Sequence, residues 1–158
     1  MKKLLAIALV LGLAGIANAA VSLYPGGMVD VLPGDTITIS VVSSDTNPYG
    51  AWLELTDNGV GSFGSLVKLP AAGADASTDD SWYPWLFFDA VTFNPEAPII
   101  AGAHFTIDFT AGQVEGYATL GLFTVDETPI ESLRINVVPE PMTLGLLGLG
   151  GLFLRRRK

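Results

Sequence analysis

Residues 36–42 read TITISVV and residues 104–109 read HFTIDF. In the first, Ile37, Ile39 and Val41 fall on one side of an extended chain, with Thr36, Thr38 and Ser40 on the other. In the second, Phe105, Ile107 and Phe109 alternate with His104, Thr106 and Asp108. A period of two is the repeat of a strand with one face in a core and the other in water. The same repeat places Ala118, Leu120 and Leu122 on one face of YATLGLF. In LRINV it turns Leu133, Ile135 and Val137 inward, with Arg134 and Asn136 outward. No amphipathic helical period appears between these segments, and turn chemistry punctuates them. Pro33-Gly34-Asp35 precedes one strand, Asn58-Gly59 offers a hairpin turn, and Ala111-Gly112 and Glu115-Gly116 bracket another connection. The expected fold is all-β, an antiparallel sandwich of two sheets. Only residues 70–85 break the pattern, and they read as a long exposed connection ending in aromatic residues.

The ends of the chain have a different character. Lys2 and Lys3 precede an apolar run from Leu4 to Ile16, and Ala17-Asn18-Ala19 supplies a small-x-small cleavage site. That order is the pattern of a secretory signal peptide, so residues 1–19 are expected to be removed by signal peptidase and the exported chain to begin at Ala20. At the other end, VPEP leads into a Gly/Leu-rich run from Met142 to Leu154 and then four basic residues. As a helix the run spans about 20 Å, at about 1.5 Å per residue, short of a bilayer core of about 30 Å. Pro139 and Pro141 keep the preceding segment extended, and the basic end is retained in the cytoplasm, leaving the body of the chain outside.

Between Ala20 and Val138 only Lys68 and Arg134 are basic, against fifteen Asp and Glu, a formal charge of −13. Such a surface repels nucleic acid, which proteins hold through cationic phosphate contacts. Cysteine is absent, which excludes disulfides, thiol nucleophiles and cysteine metal sites. Gly59, Gly61 and Gly64 match the spacing of a dinucleotide fingerprint, but strand-like SLVKLP follows where a helix is required. His104 is the sole histidine, is expected on a polar strand face, and has no serine on a nucleophile elbow to serve. Asp75, Asp79 and Asp80, helped by Ser77 or Thr78, are candidate calcium ligands, though their spacing is not that of an EF-hand and the alternative, a solvated acidic loop, is preferred. Trp82, Tyr83 and Trp85 are candidates for stacking on sugar rings, with Pro84 stiffening the platform; the alternative is that they cap the core. Trp52 is expected in the core. Beyond a possible calcium ion, no cofactor is implied.

Two resemblances refine these expectations. VDVLPGDTITISV (residues 29–41), followed by IIAGAHFTIDFTAG (residues 99–112), is similar to the cohesin-type sandwich of bacterial surface and scaffold proteins, a jelly-roll fold shared with some carbohydrate-binding modules. Val138, Pro139, Glu140, Pro141, Thr143 and the closing Arg155, Arg156, Arg157 and Lys158 resemble the PEP-CTERM sorting signal. That resemblance implies an exosortase as processing partner and an exopolysaccharide-producing envelope. It also implies a precursor held transiently in the membrane by a short C-terminal helix. The expected organisation is therefore a signal helix (1–19), a sandwich (20–138) and a sorting signal (139–158). The expected role is a secreted, non-catalytic structural or adhesive protein of the cell envelope, surface or extracellular matrix. Its alternatives are a module binding extracellular polysaccharide or a protein, and a small glycoside hydrolase.

Overall fold

The structure is a computed structural model that describes residues 21–138. The signal helix and the short C-terminal helix expected from the sequence lie outside these residues, and among the described residues no helix is long and apolar enough to cross a membrane. Eleven strands are described: β1 (Val21–Tyr24), β2 (Gly27–Val31), β3 (Thr36–Ser43), β4 (Tyr49–Thr56), β5 (Gly61–Phe63), β6 (Val67–Lys68), β7 (Ser77–Asp79), β8 (Trp85–Ala90), β9 (Gly102–Ala111), β10 (Gly116–Thr124) and β11 (Pro129–Val137).

They form two sheets. One runs β1-β3-β9-β5, with β6 also pairing β9; the other runs β2-β11-β10-β4-β8-β7. The alternating residues supply the layer between them: Ile39, Val41, Phe105, Ile107 and Phe109 from the first sheet meet Leu53, Leu86, Leu120, Leu122, Leu133 and Ile135 from the second, all at most 1% exposed. Pairing is antiparallel except between β2 and β11, which run parallel. The sequence YPGG (residues 24–27) explains the exception. Pro25 has no N–H to donate and Gly26 and Gly27 carry no side chain, so the chain leaves β1 in the first sheet and re-pairs as β2 in the second. Glu131 of β11 ties this corner by accepting the Leu23 N–H at 2.7 Å.

Three sequence expectations are corrected and a fourth is refined. Asn58 and Gly59 do form a tight turn, with φ of 51° and 72° suited to a type I′ geometry. It is not a hairpin, because β4 and β5 belong to different sheets and the turn carries the chain across the sandwich. Residues 70–85 are mostly exposed, as expected, but they are not without structure: a 3-10 turn (Pro70–Ala72) and β7 lie within them, and Ala72 and Ala76 are buried. The Lys68 ammonium donates to the carbonyls of Ala74 and Ala76 at 3.3 and 2.8 Å, holding the segment down. His104 is buried, not on a polar face, because the β3–β9 register slips between Val41 and Val42. That bulge places His104 and Phe105 consecutively inward. Trp52 leaves the core, since Ala51, Leu53 and Leu55 take the inner face of β4.

Candidate binding face

The inner face of each central strand in the second sheet is apolar, which fixes what the outer face must carry. Along β4 the outward residues are Gly50, Trp52 and Glu54; along β8 they are Trp85, Phe87 and Asp89; along β10, Gly121 and Phe123. Register then aligns them. Phe123 lies opposite Trp52, and Trp52 opposite Phe87, giving one aromatic row across three strands. In the next row Gly121, Glu54 and Trp85 are neighbours.

Trp52 is the centre of this face. Its ring stacks on Phe123 with centroids 4.3 Å apart and planes 11° apart, and it lies 6.2 Å from Phe87. The indole N–H donates to the Thr124 carbonyl at 2.9 Å, so the polar edge is satisfied while Phe123 covers one face of the ring. Gly121 makes the stack possible: a Cβ there would come 2.6 Å from Phe123 Cε2. Trp52, Trp85, Phe87, Phe123, Val125 and Glu127 line an open depression of about 500 Å³. Trp85 and Phe87 are 46% and 43% exposed, a large apolar area to leave in water on a rigid sheet.

A second open depression of about 580 Å³ opens at Gly50 and Asp89, bordered also by Asp75 and Phe93, and the Val125 side chain lies over Gly50 at the edge of the first. The polar groups around the aromatic strip are carboxylates. Asp79, opposite Phe87, accepts from the Ser81 hydroxyl and N–H, and these bonds hold it below the usual carboxylate range. Asp126 is likewise lowered, by the Thr124 hydroxyl first. Neither basic residue of the sandwich pairs with these carboxylates, although Arg134 shares the outer face. Lys68 is bound to carbonyls, and Arg134 sits 4.0 Å from the Tyr117 ring centroid while its Nε donates to Asn136.

The residues singled out in the sequence are only partly brought together. Of Trp82, Tyr83 and Trp85, Trp85 alone lines the depression. Trp82 and Tyr83 are 62% and 54% exposed in the turn before β8. Burial, then the nearby charge of Asp57, raises the Tyr83 hydroxyl above its ordinary value. Asp75, Asp79 and Asp80 do not converge. Asp75 accepts the Phe93 N–H, Asp79 is bound to Ser81, and Asp80 accepts the Leu66 N–H. Among the described residues no group of three or more His, Asp or Glu is placed to hold a metal ion. His104 has both ring nitrogens occupied, by the Tyr49 hydroxyl and the Ile100 carbonyl.

Residues 137–158 match the family described as the PEP-CTERM protein-sorting motif. The chain carries a PEP-CTERM sorting motif. It is thus an exported protein directed to the cell surface. The match begins at Val137, the buried last residue of β11, so the motif follows the sandwich with no spacer. No curated protein matches the chain. Among solved structures, a type I cohesin–dockerin complex from Clostridium thermocellum, Coh-OlpA-Doc918, aligns with TM-score 0.51 and 13% identity over 75% of this chain and 97% of that one. The complex of CaDoc0917 with CaCohA2 aligns with TM-score 0.50 and 16% identity over 75% and 98%. The sandwich has a cohesin-like fold, as the PGD and AG segments led one to expect.

Trp52, Phe87 and Phe123 are the members of the face that sequence reasoning missed. The signal was in the alternation itself. Trp52 shares its side of the strand with Glu54, Phe87 with Asp89, and Phe123 stands out of phase with Ala118, Leu120 and Leu122.

Proposed function

We propose that the chain is a non-catalytic adhesive module of the cell envelope or its surrounding matrix, and that its contact surface is the aromatic outer face of the six-stranded sheet. In this reading signal peptidase removes residues 1–19 after Ala19, the sandwich spans 20–138, and an exosortase acts on the segment 139–158. The observation that carries the proposal is the row Phe123–Trp52–Phe87 with Trp85 beside it, presented on a rigid sheet and not buried in the core. Exposed aromatic area of this kind marks a contact surface. A cohesin-like fold supports the binding reading, since the Coh-OlpA-Doc918 structure is that of a cohesin–dockerin complex.

The test is retention at the cell surface. Cells producing the chain with Trp85→Ala and Phe87→Ala are fractionated beside cells producing the parent. The expected result is a correctly processed, folded variant that washes from the envelope while the parent stays. Equal retention would remove the aromatic face from the proposal.

A further inference from the structure

The identity of the ligand follows from what surrounds the aromatic strip, and the inference rests on the binding role just proposed. We infer that the face accepts a polysaccharide bearing free amino groups, a polymer of amino sugars.

Three observations converge. The first is flatness. Trp52 and Phe123 are stacked on each other, and Trp85 and Phe87 are exposed beside them, so the strip is an open aromatic surface with no deep socket. Protein partners usually anchor a side chain in a desolvated pocket, whereas the apolar C–H face of a sugar ring matches an open aromatic surface. The second is length. Four residues separate Glu54 from Gly50 and Trp85 from Asp89, where the second depression opens with Val125 lying over Gly50, so the two depressions are about 13 Å apart along the strands at about 3.3 Å per residue, within the span of a short oligosaccharide.

The third is charge. Glu127 lines the first depression, Glu54 and Asp79 flank the aromatic row, and Asp75 and Asp89 border the second depression. Ionised carboxylates only accept hydrogen bonds, so the ligand must be rich in donors. Lys68 is bound to carbonyls, and Arg134, on the same outer face beyond Gly121, lies over Tyr117, so neither pairs with these carboxylates. An ammonium group answers them twice, by charge-assisted hydrogen bonds to the carboxylates and by attraction to the indole faces. The same charges repel a polyanionic matrix polymer.

The test uses the full chain in mild detergent, titrated calorimetrically with β-linked glucosamine oligomers in a mildly acidic buffer that keeps the sugar amines protonated. N-acetylglucosamine oligomers, neutral glucan oligomers and oligolysine serve as comparisons. The expected result is saturable binding of the glucosamine oligomers, about tenfold tighter than their acetylated counterparts. It should weaken severalfold in Glu127→Gln and vanish in the Trp85→Ala, Phe87→Ala double variant. Equal binding of acetylated and neutral oligomers would overturn the charge argument, and binding of oligolysine alone would overturn the sugar. If no sugar binds but envelope retention still depends on Trp85 and Phe87, this inference fails and the adhesive role stands. If retention is also indifferent to them, both fail.

Discussion

At the scale of single residues, the buried imidazole of His104 shows how local chemistry closes the core. Its Nε2 lies 2.8 Å from the Ile100 carbonyl oxygen, an acceptor only, so Nε2 carries the proton and Nδ1 accepts from the Tyr49 hydroxyl at 3.0 Å. Tyr49→Phe strands Nδ1 without a donor, and the expected cost is about 1–3 kcal/mol by urea denaturation near neutral pH. The penalty should itself depend on pH. Burial of Tyr49, then the charge of Asp45, raises its hydroxyl far above the ordinary value of 10.0. The folded state therefore favours the protonated phenol, and its contribution is complete below pH 10.0 and lost progressively above it, where the unfolded chain ionises first. The stability gap between parent and Tyr49→Phe should narrow as denaturation is repeated above that pH. A constant gap would mean that Tyr49 is not shielded from water. Gly121 offers a test of opposite kind. An alanine Cβ would press on the Phe123 ring edge at 2.6 Å, and that ring can swing outward. Gly121→Ala should cost at most about 1 kcal/mol yet unstack Trp52, seen as a change in tryptophan fluorescence.

At the scale of elements, β8 carries the argument. Leu86 and Phe88 face the core at 1% and 4% exposure, while Trp85 and Phe87 face water. Leu86→Ala should cost about 2–5 kcal/mol, and Phe87→Ala no more than about 1 kcal/mol, although phenylalanine is the larger residue. Denaturant midpoints for the two variants decide this. A large loss at Phe87 would mean a strand slipped by one residue, with its faces exchanged. Alternation of this sort is legible in sequence because each residue's side is set by its neighbours two positions away. That is why β3, β9, β10 and β11 could be read directly. Three things were not legible. The bulge that buries His104 depends on a register with β3, some sixty residues earlier in the chain. The segment 70–85 owes its order to alanines small enough for backbone to approach backbone, as where Ala74 N–H meets the Ala97 carbonyl, and alanine gives little periodic signal. The assembly of Trp52, Phe87 and Phe123 into one row is a property of three strands together; each residue's outward side was available, but their coincidence was not.

At the scale of the whole molecule, the excess of acid over base sets stability and binding against each other. The sandwich with its leading Ala20 carries a formal −13, with fifteen acidic groups on a small surface. Self-repulsion among exposed carboxylates opposes the compact state and fades as salt shortens the Debye length from about 30 Å at 0.01 M to about 8 Å at 0.15 M. Calorimetry across that range should show Tm rising by a few degrees, about what a gain of roughly 1 kcal/mol produces in a domain of this size. A flat response would mean that the carboxylates stand too far apart in water for their mutual repulsion to weigh on folding. Binding of an amino-sugar polymer should move the other way, because the attraction between its ammonium groups and Glu127, Glu54 and Asp79 is screened by the same ions. Added salt would then tighten the fold while loosening its grip. Salt-induced release from the envelope, accompanied by a higher Tm, is therefore the combined signature of a surface whose carboxylates serve the ligand at the expense of the fold. Release accompanied by a falling Tm would instead trace the loss of binding to unfolding.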